Sequence, residues 1–438
     1  MEHLMGDLSN FRGRVSRLGD VKSMTLAGPA LLIDDSIRWL RTGKLIAYGA
    51  DYAPLLVDQP GLLVTAYPAR VSSYNQANYA NLGVKFLRAG SKNWQIDGGV
   101  SGDQVGVRYS ADGSLTFATN AILGATDYLV GAYGAFAIGS NVVVFGSADT
   151  NQTGCTYSAN GAIFAAPTGL PTGSTVSIAC GAASASLGVI LRADTPGANG
   201  AGFYTTTDGS SFTNRTGTGG TNGSISSMHW SQAGARFLYV VGTAALNSTT
   251  DGYTQTALTL PANVSFVQGD TWGKRFASSA SASLFLLADG RVLRTTDGVA
   301  FTAIDPTNGG LQASVGAQAV IGYDPTNTRF VIAINAGGTA APAFLFSDDQ
   351  GLTWQMSTAF EDFHAGTSVA NAPRVMGFGE ATVSGTRFIA AAGPASGGGG
   401  DRLFDITGMA MRTPSFVGTY RASKVMADLE FPHYLRVK

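Results

Sequence analysis

Carboxylates are scarce among the groups of this 438-residue chain that could do acid–base chemistry. Glu occurs only at Glu2, Glu361, Glu380 and Glu430, which leaves 25 of the 29 acidic residues as Asp. A glycosidase places two carboxyl groups across the bond it breaks, so a pair here would draw mostly on Asp. His3, His229, His364 and His433 are scattered, with no Cys or carboxylate at ligand spacing, and do not describe a zinc site. Ser347-Asp348-Asp349 offers adjacent carboxylates that could hold Ca²⁺, although a turn is the simpler role. Gly397-Gly-Gly-Gly400 lacks the Lys-Ser/Thr of a phosphate loop and reads as a flexible connection. Aromatic rings remain as candidate ligand contacts, because a sugar's apolar face stacks on a ring. Trp230, Tyr253, Trp272 and Tyr133 fall near predicted strand ends or loops; Trp230 and Trp272 suit a core better, and Tyr253 is the better surface candidate. No catalytic residue, metal or cofactor is expected.

The elements that would position such groups show in a phrase recurring about every 45 residues, [Ser/Thr]-x-[Asp/Asn]-Gly-x-x-Phe. It stands at Ser158–Phe164, Thr206–Phe212 and Thr295–Phe301, with a longer copy at Ser110–Phe117 and a copy without the aromatic at Thr249-Thr-Asp251-Gly252. The fullest copy is Ser347-Asp-Asp349-Gln-Gly351-Leu-Thr353-Trp354. Asp112, Asn160, Asp208, Asp251, Asp297 and Asp349 are separated by 48, 48, 43, 46 and 52 residues, and a fixed period of this size implies a repeat architecture. Gly supplies the positive φ of a tight turn, Asp or Asn accepts its N–H groups, and the aromatic packs behind. The aromatic is expected to be buried and to outweigh the Asp in stability, Phe301 included.

Ser-x-Asp-x-Gly-x-Thr-Trp at 347–354 resembles the Asp-box of sialidase-like and related β-propellers, a likeness that covers roughly residues 80–415. It implies a propeller with one box on a hairpin of each blade, and it implies little about activity, since such boxes occur in enzymes, lectins, receptors and assembly factors. A sialidase would also need an arginine triad. Arg108, Arg192, Arg236, Arg275, Arg294, Arg329 and Arg387 are available, but several open predicted strands at equivalent repeat positions, as blade-to-blade contacts would. The Arg-Ile-Pro signature of that family is absent.

Between the boxes lie short apolar runs bounded by turn residues, as buried strands are. Examples are Asn141–Gly146, Arg236–Gly242, Arg329–Ile334 and Arg387–Gly393, with Ser186–Leu191 and Ser283–Leu287 filling the intervals. Pairing each run with the following box gives units near 83–118, 136–166, 187–214, 236–256, 283–303 and 329–356. A further unit falls at 387–412, where Arg402–Gly408 resembles a degenerate box. The expected fold is therefore all-β, a seven-bladed β-propeller with six blades as the alternative. The expected domains are an N-terminal β-rich attachment module over 1–80, the propeller over 81–415, and a C-terminal tail or closing strand over 416–438. Cys155 and Cys180 fall in successive blades and are expected to be buried free thiols, since a disulfide needs Cα atoms within roughly 7 Å.

The net charge is −1, charged residues are 13% and hydrophobic ones 45%, so the chain can bury a large core and lacks the electrostatic footprint of a nucleic-acid binder. No run approaches the ~18–20 apolar residues that span a bilayer, and the N-terminus lacks the pattern of a secretory signal. Trp39-Leu-Arg-Thr-Gly43 followed by Tyr52-Ala-Pro resembles a phrase of tail and appendage proteins of tailed bacteriophages, with Tyr52-Ala-Pro in place of the usual Tyr-Pro. That resemblance implies a non-enzymatic virion protein, made in the host cytoplasm: a tail fibre, appendage or receptor-binding component. Its expected partners are other virion proteins, through the N-terminal module, and a host surface glycan; a homo-oligomer stays open, and no membrane insertion is expected. The alternatives are a purely architectural collar or decoration protein and a polysaccharide-acting glycosidase.

Overall fold

The structure is a computed structural model that describes residues 24–26, 46–48, 54–56, 68–70, 84–97, 105–110, 118–123, 129, 131–147, 152–161, 163–172, 177–193, 202–215, 225–267, 270, 272–306, 319–334, 343–357, 373–383, 385–394, 402–406, 418–422 and 434–436. Its regular structure is all β-strand among these residues. The chain divides into two compact units: Met1–Thr65 with Ser357–Asp362 and Gly408–Lys438, and Ala66–Met356 with Phe363–Thr407.

The larger unit is a succession of antiparallel modules, each running strand to neighbouring strand. The first is Val84–Ala89, Lys92–Asp97, Val105–Ser110 and Ala118–Leu123. The second is Gly131–Ile138, Asn141–Ser147 and Cys155–Ser158, with an added bridge from Tyr157 to Ala165. The third is Ser177–Ala183, Gly188–Ala193, Gly202–Thr206 and Thr213–Asn214, and a lone pairing of Ser147 with Ser177 joins it to the second. The fourth is Ile225–Ser231, Arg236–Val241, Ala245–Thr249 and Thr256–Ala257. The fifth is Phe276–Ser278, Ser283–Leu286, Val292–Thr295 and Thr302–Ile304. The sixth is Val320–Asp324, Arg329–Ile334, Ala343–Ser347 and Gln355–Ser357. The seventh is Pro373–Val383, Gly385–Pro394, Arg402–Asp405 and, from far upstream, Pro68–Arg70.

The apolar runs are the second strands of these modules. Their continuous apolarity follows from period-2 geometry, which sends successive side chains to opposite faces. Phe237 and Tyr239 join a core with Val189 and Phe203 of the third module, while Leu238 and Val240 join another with Phe285 and Leu293 of the fifth. Val142 and Val144 likewise pack with Trp94 and Ile96 of the first module, and Val143 and Phe145 with Ile190 and Tyr204 of the third. The second and fourth modules are thus each buried on both faces by their neighbours. The first strand of each module lies beside the first strand of the next, and Pro373–Val383 lies beside Val84–Ala89. The approach there is close, since a β-carbon at Gly379 would fall 2.1 Å from Phe86 Cβ.

Three placements differ from the sequence expectation. Pro68–Arg70 completes the seventh module, although the attachment module was drawn to residue 80. Arg402–Asp405 is a strand between Gly385–Pro394 and Pro68–Arg70, not a box turn. Gly418–Ala422 pairs in the smaller unit with Met24–Leu26 on one side and with Tyr434–Arg436 on the other, and among the described residues neither C-terminal strand pairs with a module. That unit also holds the hairpin of Ile46–Tyr48 with Pro54–Leu56. Thr42-Gly43, Trp39, Tyr52 and Asp112 fall outside the described residues.

Candidate functional site

Five of the repeated turns are described, and four share one lock. The first hydroxyl accepts the glycine N–H: Ser158 Oγ from Gly161 at 2.9 Å, Thr206 Oγ1 from Gly209 at 2.7 Å, Thr295 Oγ1 from Gly298 at 2.8 Å and Ser347 Oγ from Gly351 at 2.8 Å. The Asp or Asn oxygen then accepts the next N–H groups, as Asp297 Oδ1 does from Val299 at 2.8 Å and Ala300 at 2.9 Å. At the fifth turn Asp251 Oδ1 accepts from Tyr253 and Thr254 at 2.8 and 2.7 Å. These backbone donors hold the Asp297 carboxyl below its usual range, and the Ser210 hydroxyl does the same at Asp208. Such carboxylates are committed to architecture.

The turn glycines do a second job. Gly161, Gly209, Gly252, Gly298 and Gly351 all have φ between +68° and +87°, and each abuts the module before its own. An added β-carbon would lie 2.4 Å from Tyr109 at Gly161, 2.8 Å from Val143 at Gly209, 2.6 Å from Thr205 at Gly252, and 2.8 Å from Arg236 and Leu284 at Gly298 and Gly351. Hydrogen bonds follow the same route, from Lys92 Nζ to Asn160 O at 2.8 Å and from Arg294 Nε to Gln350 O at 2.8 Å. Gly139 has φ +58° but nothing within 4 Å of an added β-carbon. Gly252→Ala is therefore expected to cost about 1–3 kcal/mol more than Gly139→Ala in urea titrations. Equal costs would show that the inter-module approach is not what requires glycine.

The expected burial of the turn aromatics holds for Phe212, which is 4% exposed. Phe301 is only half-buried, at the margin of the Leu238 and Leu293 core, and Phe164 and Trp354 are likewise partly exposed. The difference is cover: Thr168 backbone brackets Phe212, donating to Ser210 O and accepting from Phe212 N–H, each at 2.9 Å. Asp348 and Asp349 do not share a cation geometry. Asp348 takes Arg329 Nε at 2.7 Å, while Asp349 takes its own turn's N–H groups. Among the described residues no group of three or more His, Cys, Asp or Glu is gathered as a metal site would require.

Of the aromatic candidates, Tyr253 is 41% exposed, on its turn. Trp272 is buried in the core of the first two modules, Trp230 packs on Phe237 with ring centroids 4.8 Å apart, and Tyr133 is half-buried. They form no common platform. Cys155 and Cys180 are buried free thiols, and burial raises both pKa values. Among the candidate arginines, Arg236 Nε donates to Gly234 O, and Arg294 and Arg329 bind turn groups as above.

A charged group that the sequence did not reveal gathers around residues 270–275. Asp270 caps this bend, its two oxygens accepting the N–H groups of Lys274 and Arg275 at 2.9 Å each. Trp272 reaches into the core of the first two modules, and a β-carbon at Gly273 would meet both His229 of the fourth module and Lys85 Nζ of the first at 3.3 Å. His229 is stacked on Phe276 at 4.5 Å and edge-on to Phe285 at 5.5 Å. Burial, aided by the Lys85 charge, lowers its pKa to about 3. Burial also lowers the pKa of Lys85, and that of Lys274 to about 8, with Asp270 opposing in both cases. The Asp270-to-Arg275 charge cluster was the available signal in a charge-poor chain; nothing tied it to Lys85, 185 positions upstream of Asp270.

No family model matches the chain, and no curated protein matches it. Solved structures similar to it include YCF48 from Cyanidioschyzon merolae, with a TM-score of 0.44 and 14% identity over 77% of this chain and 98% of that one. An ancestral GH74 enzyme gives a TM-score of 0.45 and 11% identity over 83% of this chain and 48% of its own. Apo AztD from Citrobacter koseri gives 0.40 and 12% over 62% and 71%. At these values the likenesses assign neither a function nor a site.

Proposed function

We propose that the modules are the blades of a closed seven-bladed β-propeller with Asp-box turns, and that the protein is a non-enzymatic virion component of a tailed phage. In this proposal it is a tail fibre, appendage or receptor-binding protein, contacting a host surface glycan or a neighbouring virion protein. Support for the ring comes from the serial packing of first strands and from the Gly379 approach to Phe86. The virion assignment rests on the phrase at 39–54.

The observation that carries the platform role is where the exposed large hydrophobics lie. Among the described residues these are Ile163, Tyr253, Val299 and Leu352, at 70, 41, 46 and 52% exposure. Each follows a turn glycine by one or two positions, so rigid, internally saturated turns hold apolar side chains outward at regular steps. Single exposed apolar residues are ordinary; their recurrence just after the turn glycine of four repeats favours contact with an extended surface. Preloading susceptible cells with the purified protein is expected to reduce phage adsorption. Unchanged adsorption with no cell binding would leave only an architectural role, and release of new reducing ends from host polysaccharide would replace the proposal with a glycosidase.

A further inference from the structure

Of the six repeated turns, only the second carries an amide at the acid position: Asn160 stands where the others have Asp112, Asp208, Asp251, Asp297 and Asp349. An Asn followed by Gly is open to self-cyclisation, because no side chain on the second residue shields its nitrogen. In that reaction the Gly161 nitrogen gives up its proton to water and attacks Asn160 Cγ. A new N–C bond closes a succinimide ring, and the side-chain amide leaves as ammonia. Water then opens the ring, giving aspartate or the isomer whose chain runs through the side-chain carboxyl carbon. Asn160 is exposed, so water reaches it.

The turn pins both reacting groups. Gly161 N–H donates to Ser158 Oγ at 2.9 Å, and the carbonyl at the other end of the same peptide plane accepts Lys92 Nζ at 2.8 Å. On the amide side, Asn160 Oδ1 accepts Ile163 N–H at 3.0 Å and the Ser158 hydroxyl at 3.3 Å. Gly161 is buried against the first module, where an added β-carbon would fall 2.4 Å from Tyr109 and 3.0 Å from Trp94. Attack requires the plane to rotate until its nitrogen faces Cγ, and a misplacement of about 1 Å costs roughly a hundredfold in rate. The Lys92 charge eases loss of the amide proton, but the same bond fixes the plane, so geometry decides. We propose that Asn160 is a modification site masked by the contact between the first and second modules. It stays an amide while the turn is closed and becomes acidic when the turn opens. The step is one-way, so it records opening of this contact as a permanent negative charge at the one neutral turn. The inference is independent of any attachment role.

The test incubates the full chain in mildly alkaline buffer, with and without guanidinium chloride. The peptide holding Asn160 is followed by mass and by chromatographic separation of its isoaspartyl form. Conversion is expected to be about a hundredfold or more slower in the folded protein, since reaction through an opened state scales with the fraction of time spent open. Ser158→Ala and Lys92→Met each free one end of the peptide plane. Both are expected to raise the folded-state rate about tenfold, the worth of one such hydrogen bond, and to leave the rate in guanidinium unchanged. Phe301→Ala, in the fifth module, is expected to leave the folded-state rate as it is, which separates opening of this turn from general loss of stability. A folding failure of either turn variant leaves the other to decide. Equal parent rates in both conditions, unchanged folded-state rates in both turn variants, or an equal rise in Phe301→Ala would overturn the proposal.

Discussion

Phe212→Ala lowers the free energy of unfolding by about 3–5 kcal/mol, the expected cost of deleting a buried phenyl ring. The ring packs among Phe136, Phe145, Ile190 and Tyr204, so its walls belong to two modules whose strands cannot collapse into the gap. Phe301→Ala, at a half-buried position, costs about 1–2 kcal/mol, a fraction of full aromatic burial. Asp297→Ala removes the acceptor of two N–H groups that water can reach, and costs about 0.5–1.5 kcal/mol. Urea titrations with unchanged m-values measure all three. A Phe301→Ala loss equal to that of Phe212→Ala would contradict the burial assigned to these rings.

Acid destabilises the protein through His229. Its folded pKa, about 3, lies below the unfolded value of 6.5. Between those limits the unfolded chain binds the extra proton, so the contribution is fully present above pH 6.5 and falls as pH drops toward 3. The slope is about 1.4 kcal/mol per pH unit for one proton. The turn carboxylates titrate lower, with depressed pKa values at Asp208 and Asp297. Comparing the parent with His229→Gln isolates the histidine: their difference in unfolding free energy should shrink steadily from pH 6 to pH 4 as the parent loses stability. Parallel pH profiles would show that His229 takes up its proton in the folded state.

The hydroxyl, carboxylate and glycine of each turn were legible because all their partners lie within a few residues. The second strands were legible for a related reason: two buried faces leave an uninterrupted apolar run, and Arg329–Ile334 is found with the bounds expected. First strands such as Gly131–Ile138 and Ser177–Ala183 are rich in Gly, Ala and Ser and give no such run. Pro68–Arg70 is three residues long, and its partner lies more than 300 positions away, beyond any local pattern. The glycines were explained by their φ alone; that each also abuts the preceding module depends on how sheets stack. The cluster around Gly273 is likewise a product of tertiary placement, since its members come from strands and bends of three modules.

The pairing of Pro68–Arg70 with Arg402–Asp405 sets a schedule for synthesis. At a translation rate of about 5–20 residues per second, the upstream strand waits on the order of tens of seconds for its partner to leave the ribosome. During that interval it is an unpaired edge that any nascent neighbour could capture. Its sequence suits the delay: Pro68 withholds a backbone donor and Arg70 carries a charge, both of which discourage premature strand pairing. The last module is then the final one to be completed, and it ties residues from early and late translation into one sheet.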